Sequence, residues 1–299
     1  MNRRHRLALV AVTASAAFIV PVAAAAGSAP GGGPGRARSA EITNVAHRGA
    51  SAYAPENTIA AFRLAASQHA DVFETDVQET KDHALVLIHD TTLGRTTNVE
   101  DVYPKRSPWK VSDFTLAEIR RLDAGSWFGT KYKGERIPTL DQALDDMRDR
   151  GIGLLLEIKS PDLYPGIEER VAAALRRSPS WLRSDPAERR LAVQSFDWAS
   201  VRRFHAVLPD VPVGLLGTPK AADLPELASY ADQINPTFGD VTASYVTDVH
   251  AARMDLLTWT VNDAGDMKEA ARLGVDGIIT NEPDVLRRVL DEALAASAA

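Results

Sequence analysis

Short runs of β-branched and aliphatic residues alternate along this chain with longer stretches whose apolar positions recur at helical spacing. The strand-like runs cover residues 42–46, 72–77, 154–158, 191–193, 213–216, 233–234, 256–261 and 277–280. The helix-like stretches cover 57–67, 140–150, 167–177, 198–207, 224–231, 243–253, 266–273 and 285–295. Thr139 and Asp197 stand where helix N-caps belong, each just before an apolar-periodic run. Eight strands with helices between them in about 250 residues fit an α/β fold of the (β/α)8 barrel type, with a doubly wound open sheet as the alternative.

One apolar run, 85–88, breaks the alternation. Too few residues separate it from Val77 for a parallel crossover, which takes at least about 10–12. Residues 74–88 are therefore predicted to form a β-hairpin turning at Lys81-Asp82-His83, extending the second barrel strand. Counting back from that turn places His89 beside Thr75 and Asp76. In such barrels the C-terminal ends of the strands carry the active site, so the hairpin returns a histidine to that end.

The first residues read differently. Arg3, Arg4 and Arg6 precede an almost wholly apolar stretch from 7 to 20, and small residues at 23–26 offer a cleavage position. Residues 1–26 are predicted to be a secretory signal peptide. An uncleaved anchor is the alternative, although the apolar stretch is shorter than the roughly 20 residues a spanning helix needs. Residues 27–40, with the run APGGGPGRAR, form a Gly/Pro-rich linker, and 41–299 form a single domain. The expected location of the mature protein is extracellular, with no stable membrane insertion once the leader is gone.

Composition narrows the chemistry. The 299 residues are 45% hydrophobic and 25% charged, with 34 basic and 40 acidic side chains and no cysteine. This is globular, and without a disulfide framework, a thiolate metal site or a cysteine nucleophile. The formal net charge of -6 falls to about -9 once the three leader arginines are removed, which argues against a nucleic-acid partner.

The residues able to do chemistry gather at predicted strand ends. The first strand ends in His47-Arg48-Gly49, the second carries Glu74 and Asp76, the hairpin returns His89-Asp90, and the third barrel strand ends in Glu157 and Lys159. Residues two apart share a strand face. If both pairs face inward, three carboxylates and one ammonium converge, an arrangement that is costly unpaired and suits one hard cation, Mg²⁺ or Ca²⁺. Two histidines beside it offer a proton acceptor and a proton donor near neutral pH. Arg48 and Lys159 suit a phosphate, so the set points to phosphoryl chemistry. Trp259 and Phe196 either fill the barrel or wall the substrate site. Glu56 and Asn57 are expected to cap or oppose the dipole of the first helix.

These residues resemble the glycerophosphodiester phosphodiesterases, in the compact secreted bacterial form. The resemblance rests on His47-Arg48-Gly49, Pro55-Glu56-Asn57-Thr58, Glu74-Thr75-Asp76-Val77 and His89-Asp90, supported by LGRTT at 93–97, LDAGSWF at 122–128, LEIK at 156–159, VQSF at 193–196 and TWTVN at 258–262. One departure is His83, where the family commonly has glycine.

The resemblance implies metal-dependent hydrolysis of glycerophosphodiesters such as glycerophosphocholine to glycerol 3-phosphate and an alcohol, through a cyclic phosphodiester. It assigns Glu74, Asp76 and Glu157 to the metal, His47 and His89 to acid–base catalysis, and Arg48 and Lys159 to the phosphate. His89 is expected to be the base of the first step and His47 the acid. The alternatives are a lyase that stops at a cyclic phosphate and a secreted, non-catalytic binding protein.

Overall fold

A computed structural model describes residues 42–183 and 190–297. The expected leader and linker lie outside the described residues. Among these residues the strands are β1 (Thr43–Ala46), β2 (Val72–Glu79), β3 (Leu85–Leu87), β4 (Gly153–Ile158), β5 (Leu191–Ser195), β6 (Val213–Leu216), β7 (Gln233–Asn235), β8 (Asp255–Thr258) and β9 (Gly277–Thr280). All but β3 are parallel, and β1 pairs with both β9 and β2, which closes the sheet into an eight-stranded barrel. Closure excludes the open doubly wound sheet, which would leave two edge strands.

The helices between them are α1 (Ile59–Ser67), α2 (Val99–Val102), α3 (Leu116–Ile119), α4 (Leu140–Met147), α5 (Ile167–Arg177), α6 (Trp198–Val207), α7 (Leu224–Leu227), α8 (Ala243–Ala251), α9 (Ala264–Leu273) and α10 (Pro283–Ser297). Thr139 and Asp197 are caps as expected. The Thr139 side chain accepts from the Gln142 backbone N–H and Gln142 reaches back to Thr139, while Asp197 accepts from Ser200 N at 2.9 Å. No helix among the described residues is long and apolar enough to cross a membrane.

Strand alternation separates two apolar layers. Val45, Leu155, Leu257 and Ile279 meet inside the barrel. Their neighbours Ala46, Leu154, Leu156, Leu256 and Ile278 pack outward in a larger cluster with Phe62, Val171 and Phe204 of the helices. Each fully buried Val, Leu or Ile among them contributes roughly 1.5–3 kcal/mol relative to exposure. The interior cluster forms a dry floor, and continuing the same parity along the strands places Glu74, Asp76, Glu157 and Lys159 above it.

The hairpin forms in the expected register. Val77 pairs with Leu87, Gln78 with Val86 and Glu79 with Leu85, and Ile88 N donates to Asp76 O at 3.0 Å, so His89 falls opposite Thr75. His83 takes φ 60 in the turn and its Nδ1 meets Glu79 Oε2 at 2.9 Å. That contact holds a conformation glycine would adopt more freely.

Among the boundaries that differ from the sequence pattern, two lie at the barrel mouth. The strand expected over 256–261 ends at Thr258, beyond which Trp259 makes only an isolated parallel bridge to Thr237 while its indole donates to Asn235 O. The first helix begins at Ile59, with Thr58 rather than Asn57 as its cap. Residues 89–139 form a compact insert on its own apolar centre of Leu93, Val99, Phe114, Ile119 and Leu122. Asp123 of the LDAGSWF run organises it by accepting from the backbone N–H groups of Gly125, Ser126 and Gly134, each at 2.8 Å.

Candidate active site

β1 ends in a tight turn in which Arg48 (φ 55) and Gly49 (φ 80) are both left-handed. A Cβ on Gly49 would lie 2.7 Å from the Ala61 backbone, so this turn can hug α1 only with glycine. The turn aims the Arg48 backbone N–H at Glu74 Oε2, at 2.7 Å. It also sets the guanidinium Nε 3.5 Å from Asp76 Oδ2.

The carboxylates of Glu74, Asp76 and Glu157 are buried, and their ligand atoms lie within 4.8 Å of one another. Lys159 Nζ is 2.9 Å from Glu157 Oε1 and 3.6 Å from Asp76 Oδ1. Two cations thus face three carboxylates. Burial, then the charge of Asp76, pushes Glu157 up to about 8. Glu74 is raised well above the usual carboxylate range by burial and by both neighbours, outweighing Arg48. Burial also opposes ionisation of Asp76, but Lys159, Arg48, His89 and a hydrogen bond from Asn57 hold it below the ordinary range. Three oxygen donors at this spacing, two of them shifted towards the protonated form by burial and their neighbours, fit a hard divalent cation.

The histidines are fixed through Nδ1. His47 Nδ1 donates to Asn281 Oδ1 at 2.7 Å, so its proton-accepting atom is Nε2. Burial, reinforced by Arg48, pushes His47 down to about 4. His89 Nδ1 meets Asp90 Oδ1 at 2.7 Å. Arg95 grips the same Asp90 with Nε at 2.6 Å and Nη2 at 3.1 Å, and this contact, aided by His89, lowers Asp90 to about 2.

A small open cavity lies above these groups. His47, Arg48, Glu74, His89, Glu157, Lys159, Phe196 and Trp259 line it, and Asp76 lies buried within the acidic group. Phe196 and Trp259 meet edge-to-face at 5.5 Å between ring centroids, and Phe196 is 52% exposed at the rim. Both aromatics thus stand at the mouth, above the dry floor. The fold brings together all nine residues singled out from the sequence.

Other groups escaped the sequence reading. Glu56 and Asn57, expected to serve the first helix, serve the site instead. Asn57 takes φ 56 and spans Thr75 and Asp76, accepting from Thr75 Oγ1 at 2.6 Å and donating to Asp76 Oδ2 at 2.8 Å. Glu56 accepts from Arg48 at 2.9 Å and from Arg95. Buried Gln78 donates to the carbonyls of Ile88, His89 and Asp90, at 2.8, 3.0 and 2.8 Å, and accepts from Tyr164. The available signals were that Asp90 is adjacent to His89 and that Gln78 shares the parity of Glu74 and Asp76. Arg95 stood in the LGRTT run, but neither for it nor for Asn281 did the sequence show which group it would hold.

A barrel with an acidic trio, two histidines and two cations at the C-terminal ends of its strands is a site for phosphoester chemistry. The profile of the Glycerophosphoryl diester phosphodiesterase family matches residues 47–285, and the chain belongs to that family. The expected class of enzyme, a glycerophosphodiester phosphodiesterase, is borne out at this level. A glycerophosphodiester phosphodiesterase of Caldanaerobacter subterraneus is 40% identical over 245 residues, covering 81% of this chain and 95% of that one. One from Bacillus subtilis is 36% identical over 262 residues, covering 83% and 86%. Among solved structures, a phosphodiesterase of Oleispira antarctica in complex with the product sn-glycerol-3-phosphate aligns with a TM-score of 0.72 at 30% identity, covering 84% of this chain and 97% of that one.

Proposed function

We propose that this protein hydrolyses glycerophosphodiesters, such as glycerophosphocholine, to glycerol 3-phosphate and an alcohol by two-histidine acid–base catalysis. The observation that carries this reading is the convergence of His47, His89, Arg48 and Lys159 on one cavity over the buried Glu74–Asp76–Glu157 group. The Oleispira relative, solved with sn-glycerol-3-phosphate, supports the same product.

Arg48 and Lys159 bind the phosphate oxygens and Phe196 with Trp259 walls the organic part. His89 Nε2 takes the proton of the glycerol hydroxyl as that oxygen attacks phosphorus, and Asp90 supports the imidazolium that forms. His47 delivers a proton from Nε2 to the departing alkoxide. At rest His47 is neutral because of burial and Arg48. An arriving phosphodiester anion offsets that positive charge and favours protonation. The cyclic phosphodiester is opened by water with the roles exchanged: His47 takes the water proton and His89 returns its own to the glycerol oxygen. Glu74, Asp76 and Glu157 would hold a divalent cation, Mg²⁺ or Ca²⁺, which supplies Lewis-acid stabilisation of charge on the phosphoryl oxygens when bound.

The leader-like residues 1–26 support export of the enzyme. Phosphorus NMR of glycerophosphocholine turnover tests the chemistry: glycerol 3-phosphate accumulates with Mg²⁺ or Ca²⁺ and not in excess chelator. A cyclic phosphate that persists as the end product replaces hydrolysis with a lyase reaction, and full turnover by metal-free protein removes the cation.

A further inference from the structure

A chain of charge-assisted contacts joins the two ends of the cavity. Arg48 Nη1 donates to Glu56 Oε1 at 2.9 Å. Arg95 grips Glu56 with two parallel bonds, Nη1 to Oε2 at 2.8 Å and Nη2 to Oε1 at 2.7 Å. The other edge of the same guanidinium grips Asp90, whose Oδ1 meets His89 Nδ1. One planar fork thus holds two carboxylates, a task for which arginine is suited and lysine is not.

A narrow cavity lined by Glu56, Asn57, Ile88, His89 and Thr96 lies beside these contacts. His89 and Asp90 stand beyond the end of β3, outside any ladder. Gln78 fixes their backbone carbonyls, which leaves the ring of His89 dependent on the side chain of Asp90. Without Arg95 the carboxylates of Asp90 and Glu56 would face the site with no shared cation, and like charges would separate them.

We propose that Arg95 is a positioning residue that, anchored on Glu56, holds the Asp90–His89 pair in place. The assignment rests on the reading of His89 as the proton acceptor. Arg95 itself does not line the main cavity. Its effect is therefore on kcat rather than on substrate binding.

The test is a double-mutant cycle on purified full chain with glycerophosphocholine and saturating divalent cation. Arg95→Ala is expected to lower kcat by about 10²-fold, since displacement of a catalytic group by about 1 Å costs that much. KM stays within about twofold, and Arg95→Lys recovers only part of the loss because an ammonium cannot fork two carboxylates. In a His89→Ala background, Arg95→Ala is expected to change kcat by no more than about twofold, because its effect passes through His89. Equal losses in both backgrounds overturn the clamp while leaving His89 in its role. A harmless His89→Ala overturns both. A rise in KM alone makes Arg95 a substrate contact and also overturns it. Should Arg95→Ala fold poorly, Arg95→Lys, with its smaller expected loss, reads the same cycle with the same outcomes.

Discussion

Asn57 Nδ2 donates to Asp76 Oδ2 at 2.8 Å while Asn57 Oδ1 accepts from the Thr75 hydroxyl and the Asp76 backbone N–H. This left-handed residue between β1 and α1 therefore decides which oxygen of Asp76 remains for a cation. Replacing Asn57 by Ala is expected to weaken divalent-cation affinity about 10–100-fold, as for other groups that orient a ligand from behind. Isothermal titration of metal-free variant and parent measures it. Unchanged affinity would show that Asp76 is oriented by Arg48 and Lys159 alone.

The two histidines should each be indispensable. His47→Ala and His89→Ala are both expected to lower kcat by about 10²–10⁴-fold with the fold intact, the range for a positioned proton-transfer group. Steady-state rates with circular dichroism as the folding check suffice. A loss below about tenfold in either variant takes that histidine out of the chemistry.

The metal-free protein should lose stability as pH rises from about 6.5 to 8. Glu157 keeps its proton in the fold up to about 8, and Glu74 is raised as well, whereas both are ionised in the unfolded chain over this range. The fold therefore binds more protons than the unfolded state, and stability falls with increasing pH. His47, pushed down to about 4 from 6.5, acts in the opposite sense but only below 6.5. Thermal melts in chelator should show a declining midpoint across this window, and added Mg²⁺ or Ca²⁺ should raise it most at pH 8. A midpoint that is level or climbs in chelator contradicts the assignment.

Gln78→Leu removes the donor shared by three carbonyls and strands the Tyr164 hydroxyl in the interior. Buried groups left unpaired cost about 1–3 kcal/mol each. Chemical denaturation is expected to register a loss of at least that size together with a fall in kcat, because His89 and Asp90 lose their backbone anchor. A loss of activity at full stability would place Gln78 elsewhere in the reaction.

Phe196→Ala should separate binding from chemistry. The ring is 52% exposed and touches Trp259 at the rim, so its removal is expected to leave stability within about 0.5 kcal/mol, as for surface positions. KM should rise with little change in kcat. A fall in kcat at constant KM would assign the ring to the transition state.

Much of this arrangement was written locally. Period-two alternation alone placed Glu74 with Asp76 and Glu157 with Lys159 on common faces, because a strand leaves no other choice. Counting from the Lys81–His83 turn placed His89 beside Thr75 and Asp76, since a hairpin's register follows from its turn. The cap residues Thr139 and Asp197 were legible for the same reason: each acts on a backbone N–H three residues away. Glu56 and Asn57 were misread because helix-start chemistry is also what a polar pair before a helix normally serves.

What the sequence could not determine is how those local pieces meet. Asn281 reaches His47 across 234 residues, because barrel closure lays β9 beside β1. Arg95 reaches Glu56 across 39, because the insert packs on its own apolar centre and returns to the mouth. Periodicity fixes which face a side chain takes, but a partner supplied by another element depends on closure and packing of the whole chain. The tertiary structure alone therefore decided that Asn281 and Arg95 support the histidines, while the sequence by itself determined the histidines, the carboxylates and the barrel that carries them.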